Sequence, residues 1–212
     1  MKLFLHSGDL DEIRQEAARG SIAGVTVDLT AHAGAGPDER RALVAAIAAA
    51  VAGPVSVAVP ATTLAEMVAE ALALSALAPN VMVAFAATPD GQAAIRRCSA
   101  RDVPTQAIAC QTPADVELGA RAGARFLSPA FVDSAHGEPV LDAVRMADGI
   151  LRTYGRPSRV LAMPLRRVSQ VMDAAAGCAV AASVVFPVLQ QLLAPGPAGR
   201  SGRPPAGALA QA

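Results

Sequence analysis

Two of the side chains able to move a proton stand where short apolar runs end. His6 closes the run LFLH, and Asp28 closes GVTVD with Thr26 two residues before it. A histidine beside a carboxylate is an acid/base pair. The carboxylate is expected to raise the imidazole pKa and fix its tautomer, leaving one ring nitrogen to take or give a proton near neutral pH. The chemistry within reach is proton shuttling at a carbon next to a carbonyl: an isomerisation, a dehydration or an aldol-type cyclisation. The competing reading is structural, with the two side chains simply hydrogen-bonding each other.

The remaining reactive residues are less organised. His32 lies in a glycine-rich loop and His136 in SAHGEP; both are expected to be solvated loop histidines rather than lid residues. The histidines, Asp28, Asp133 and Glu138 show no spacing that would preassemble a metal site, so no metal is expected. Cys98, Cys110 and Cys178 are odd in number and lack CxxC spacing, which points to buried free thiols. Arg166-Arg167 is either an anion contact or a surface pair at a helix start, and Arg166 is kept as a candidate ligand.

Formal net charge is zero over 212 residues and the basic residues are scattered, so neither nucleic acid nor an acidic membrane surface is an expected partner. A small-molecule substrate is. The uncharged stretch from Ala174 to Leu189 holds Gly177 and Pro187 and falls short of the ~20 apolar residues of a membrane span. It reads as a buried helix end, a strand and the next helix start. The opening MKLFLHSGD is too short and wrongly flanked for a signal peptide, which predicts a cytoplasmic protein.

These residues need a scaffold, and the chain supplies one by alternation. Short β-branched runs at Lys2 to Leu5, Gly24 to Val27, Val55 to Val59, Val81 to Phe85, Thr105 to Ile108, Phe126 to Ser128, Val160 to Ala162 and Val180 to Val184 are followed by longer amphipathic stretches. This is the pattern of parallel strands buried on both faces by crossover helices. Asp9 with Glu12, Pro37 before Asp38, Thr62 before Leu64, Thr88-Pro89 and Thr112-Pro113 mark helix starts. Eight such units without GxGxxG after the first strand predict an α/β fold closed as a (β/α)8 TIM barrel over residues 1–194. A Gly-, Pro- and Ala-rich tail over 195–212 is expected to be disordered.

Read in order, KLFLHSGDLDEI, GVTVD, ATTLAEMVAEA, PNVMVAF, GARFLSP, RVLAMPLR and FPVLQQLLAPG resemble units of the transaldolase and fructose-6-phosphate aldolase family. The resemblance covers about residues 1 to 195. It implies a mouth at the C-terminal strand ends, with His6, Thr26 and Asp28 meeting there. It also implies a lysine on the fourth strand that forms a Schiff base, where this chain has Ala84. The other family positions hold Ala58, Ile108, Ala130, Asp133 and Pro164, and a basic residue persists as Arg166. The only lysine is Lys2, at the start of the first strand and so on the opposite face.

The expected site is therefore a cofactor-free acid/base centre formed by His6 and Asp28. Thr26, Ala58, Ala84, Phe85, Ile108, Ala130, Phe131, Met163 and Arg166 would line a substrate cavity better suited to an apolar carbonyl compound than to a sugar phosphate. The alternative is a catalytically silent relative with a binding or regulatory role. The resemblance also implies ring assemblies strapped by a C-terminal helix. Here the tail replaces that helix, so a monomer or small homo-oligomer is expected.

Overall fold

The computed structural model describes residues 1–32, 34–131 and 139–194. Asp133, His136, Glu138 and the tail over 195–212 lie outside the described residues. Eight strands alternate with eight helices: β1 (Lys2–Ser7), α1 (Leu10–Arg19), β2 (Gly24–Val27), α2 (Pro37–Ala50), β3 (Val55–Ala58), α3 (Leu64–Ser75), β4 (Val81–Ala86), α4 (Pro89–Ser99), β5 (Thr105–Cys110), α5 (Pro113–Ala122), β6 (Phe126–Pro129), α6 (Pro139–Thr153), β7 (Arg159–Leu165), α7 (Val168–Ala176), β8 (Ala181–Val185) and α8 (Phe186–Leu193). The strands pair in parallel in sequence order, and β8 returns to β1 to close the barrel.

Local chemistry accounts for most helix starts. The Asp9 carboxylate accepts from the amides of Asp11 and Glu12, and Thr88 and Thr112 each cap a helix that opens on proline. Thr112 and Asp115 form a reciprocal capping box, which satisfies two otherwise orphaned donors at that end. The third helix departs from expectation, because Thr63 rather than Thr62 accepts the Glu66 amide. No helix among the described residues is long and apolar enough to cross a membrane.

Because strand side chains alternate in direction, the barrel divides its core in two. Leu5, Val25, Val57, Val83, Phe85, Leu127 and Val184 face the helices as one continuous core. Phe4, Met82, Phe126, Leu161 and Ala181 form a separate cluster inside the barrel, where the rings of Phe4 and Phe126 meet edge to face with centroids 6.3 Å apart. Gly24 is required beneath Phe4, since a Cβ there would lie 2.7 Å from the ring. Above this plug the interior turns polar, with Thr26, Ser56, Gln106, Ser128 and Ser183 all buried.

Closure is reinforced outside the barrel by Glu16 on α1, whose side chain is fully buried. It accepts from Gln15, Arg19, Ser21 and, across the seam, Gln190 of α8. Burial disfavours its charge, but the hydrogen bonds from Ser21, Gln15 and Gln190 and the Arg19 charge together hold its pKa below the ordinary value. Glu16→Ala takes the side-chain acceptor from Gln190, while the Ser21 hydroxyl keeps the backbone carbonyl of residue 16, at about 1–3 kcal/mol for the one group left unsatisfied. Urea unfolding should show the midpoint lowered accordingly with an unchanged slope; an unchanged midpoint would remove Glu16 from this role.

Candidate active site

Adjacent strands β1 and β2 set His6 opposite Thr26 in register. The ladder continues one step further, with the Asp28 amide donating to the Ser7 carbonyl at 3.2 Å. Gly8 allows the close approach that follows, because a Cβ on it would sit 2.1 Å from the Asp28 carbonyl oxygen. Asp28 is then aimed by its own turn: its Oδ1 accepts from the Thr30 amide at 2.9 Å and the Thr30 hydroxyl at 2.7 Å. The other oxygen, Oδ2, faces His6 Nε2 at 3.6 Å.

The His6 side chain is 13% exposed and that of Asp28 32%. His6 Nδ1 contacts the Thr26 hydroxyl at 2.8 Å, and that hydroxyl contacts Ser183 Oγ at 2.6 Å. Thr26 is 2% exposed with its hydroxyl shared between those two neighbours, so it supports the histidine from beneath. Burial pushes the imidazole pKa below its ordinary value, against the pull of Asp28, and Arg166 pushes it lower still. This corrects the expectation of a raised value: the depth of the ring outweighs its carboxylate. Burial also opposes the Asp28 charge, yet the Thr30 hydrogen bonds, His6 and Arg166 bring that carboxyl below its ordinary range.

A cleft of about 620 Å³ opens over this pair, lined by Ser7, Gly8, Asp9, Leu10, Glu12, His32, Leu43, Val185, Phe186 and Pro187 in addition to His6 and Asp28. The lining combines apolar side chains with the three carboxylates of Asp9, Glu12 and Asp28, and no arginine or lysine is among the described lining residues. His32 is thus part of the cleft rather than a solvated loop residue, its Nε2 lying 3.3 Å from the Gly8 carbonyl oxygen. No group of three His, Cys, Asp or Glu side chains among the described residues is placed to hold a metal.

The remaining sequence candidates disperse. Phe85 belongs to the helix-side core, since it follows Ala84 on β4 and strand neighbours point to opposite faces, and Phe131, just beyond β6, packs against the same core. Ala84 is buried, Ile108 half-buried and Ala130 exposed, all outside the cleft. Ala58 lines a separate small groove with Leu29, Arg41 and Glu70. Met163 packs on the inner cluster with its sulfur 3.0 Å from Gln106 Nε2. Arg166 is exposed and outside the cleft, although its charge reaches His6 and Asp28.

The buried hydrogen-bonded run Ser56–Gln106–Ser128 across the barrel escaped sequence reasoning. Its signal was present as polar residues at strand positions flanked by apolar ones. Cys98 and Cys110 are buried free thiols, and burial pushes the Cys110 pKa up to about 12. Cys178 corrects the expectation for the third, being exposed on the turn between α7 and β8. Lys2 is exposed at the opposite end of the barrel from His6, its amide donating to the Val180 carbonyl.

Residues 3–198 match the model of the family described as Transaldolase/Fructose-6-phosphate aldolase. Similar relatives include proteins named "Probable transaldolase" from Desulforudis audaxviator and Moorella thermoacetica. The first is 37% identical over 195 residues, covering 91% of this chain and 89% of the relative. The second is 34% identical over 197 residues, covering 91% and 90%. A third so named, from a Caulobacter strain, is 36% identical over 177 residues, covering 82% and 81%.

The depressed His6 pKa makes a stability prediction. The folded state binds the imidazole proton less readily than the unfolded chain, so the unfolded chain carries more protons below pH 6.5 and stability falls with pH there. The stability His6 contributes is complete above 6.5 and is lost as pH falls towards the lower folded value. Denaturation at pH 7 and pH 5 should show a smaller difference in His6→Gln than in wild type; an equal difference would contradict the buried, neutral ring.

Proposed function

The chain belongs to the transaldolase/fructose-6-phosphate aldolase family, and from that premise we propose that it is a cofactor-free enzyme of lyase or isomerase type that moves a proton next to the carbonyl of a comparatively apolar compound. His6 and Asp28 are the transfer groups. The observation that carries this reading is the open cleft in which a mostly buried imidazole faces a carboxylate across 3.6 Å. A catalytically silent relative has no need to keep that cleft.

Covalent amine catalysis needs a lysine beside the carbonyl in a partly desolvated pocket. The only lysine here is Lys2, at the far end of a packed barrel interior. The cleft's composition supports the substrate class. Leu10, Leu43, Val185, Phe186 and Pro187 are its apolar lining residues, and each CH2 buried against them gains ~0.8 kcal/mol. A sugar phosphate would set its charge among Asp9, Glu12 and Asp28 with no lining arginine or lysine, an arrangement that like-charge repulsion disfavours. Arg166 is left as an anion contact at the edge of the site.

The test is solvent exchange. Incubated in deuterium oxide with a panel of unphosphorylated aldehydes and ketones, the protein should catalyse α-deuteration of a subset, read by NMR. His6→Ala should lower that rate ~10²- to 10⁴-fold with the fold kept. Asp28→Asn should lower it too, because the carboxylate that faces the ring is gone. Exchange undiminished in both variants sinks the assignment of these residues; no exchange with any compound favours the silent alternative.

A further inference from the structure

The barrel interior decides which nitrogen of His6 carries its proton. Ser183 Oγ is fully buried, and among the described residues its hydroxyl has one hydrogen-bond partner, Thr26 Oγ1 at 2.6 Å. Thr26 Oγ1 has one proton to give and two neighbours, Ser183 Oγ and His6 Nδ1. Two arrangements of protons are available. In one, Ser183 donates to Thr26, Thr26 donates to Nδ1, and the ring proton stands on Nε2 facing Asp28 Oδ2. In the other, Nδ1–H donates to Thr26, and the single contact between Thr26 and Ser183 can use only one of their two hydroxyl protons. That second arrangement leaves one hydroxyl proton with no acceptor in a buried site, and points the Nε2 lone pair at a carboxylate 3.6 Å away.

Buried donors without acceptors and lone pairs opposed to carboxylates are both costly, so the two ends of the chain select the same arrangement. A backbone hydrogen bond with Thr26 favours a proton on the ring, while the Thr26 hydroxyl lies 2.8 Å from Nδ1 and is the side-chain partner of that nitrogen. We propose that Ser183 and Thr26 are positioning residues that fix His6 as the Nε2–H tautomer, so that His6 serves as a neutral hydrogen-bond donor to the substrate carbonyl and Asp28 as the base.

This rests on the proton-transfer reading of the cleft and assigns its roles. The C–H bond next to the carbonyl breaks, its proton passes to Asp28 Oδ2, and the electron pair moves onto the carbonyl oxygen. That oxygen becomes an enolate held by Nε2–H. Return of the proton to the same carbon completes the cycle with no net redox change. A neutral imidazole can polarise a carbonyl in this way, and a ring held with its acceptor nitrogen already occupied has little call to become cationic.

Ring 15N NMR of histidine-labelled protein at neutral pH tests the tautomer without any substrate, so its outcome is separate from that of the exchange assay. The chain has three histidines, and the His6 signals are identified by their loss in His6→Gln. Wild type should show Nε2 protonated and Nδ1 as acceptor. Asp28→Asn, whose amide can meet either form, should keep that tautomer because the Ser183–Thr26 chain persists. Asp28→Asn with Thr26→Val, which leaves Nδ1 without its hydroxyl donor, should lose the bias towards the Nε2–H form. Overturning results are an Nδ1–H ring in wild type, a mixture already present in Asp28→Asn alone, or a double variant indistinguishable from the single one.

Discussion

The pairing of β8 with β1 is the constraint on which the rest depends. It is the contact that brings the end of the chain to its beginning, setting Phe4 beside Ser183 and His6 beside Val185 in register. Three features of the site follow from that seam. Ser183 reaches Thr26 across the interior, the Val185–Pro187 corner becomes a wall of the cleft over His6, and Gln190 reaches Glu16 on the outside. A parallel sheet left open at this edge would expose unpaired backbone groups and would leave His6 without an apolar wall. The burial that lowers its pKa is thus a consequence of closure rather than of its immediate neighbours in sequence.

The same closure explains why some features were legible in the chain and others were not. Strands and helices were legible because each is written locally, as β-branched runs and as caps such as Thr88-Pro89 and Thr112-Pro113. The meeting of His6 with Thr26 and Asp28 was legible because consecutive strands of a parallel barrel are neighbours, and Asp28 lies two residues beyond Thr26. The direction of the His6 pKa was not. It turns on how deeply the ring is covered, and Val185, the neighbour of His6 in register on β8, lies far along the chain.

The placement of the expected lining residues follows from strand geometry in one case: Ala84 and Phe85 are neighbours on β4, and the two-residue period of a strand sends Phe85 to the helices. The same period applied to Ser56, Gln106, Ser128 and Ser183 marks them as inward polar residues, a belt between the Phe4–Phe126 plug and the mouth. His32 entered the cleft through its contact with the Gly8 carbonyl, and that contact depends on the close loop approach Gly8 permits. Nothing in the spacing of residues 8 and 32 announces it.

In the proposed function the mouth works through His6 and Asp28 and no amine takes part. Replacing the only lysine gives the most direct measurement. The rate at which Lys2→Arg catalyses α-proton exchange in a responsive carbonyl compound should equal that of wild type, because the side chain lies at the opposite end of the barrel. A loss of ~10²-fold or more in a folded Lys2→Arg protein would show that Lys2 takes part in the chemistry, and would contradict the account.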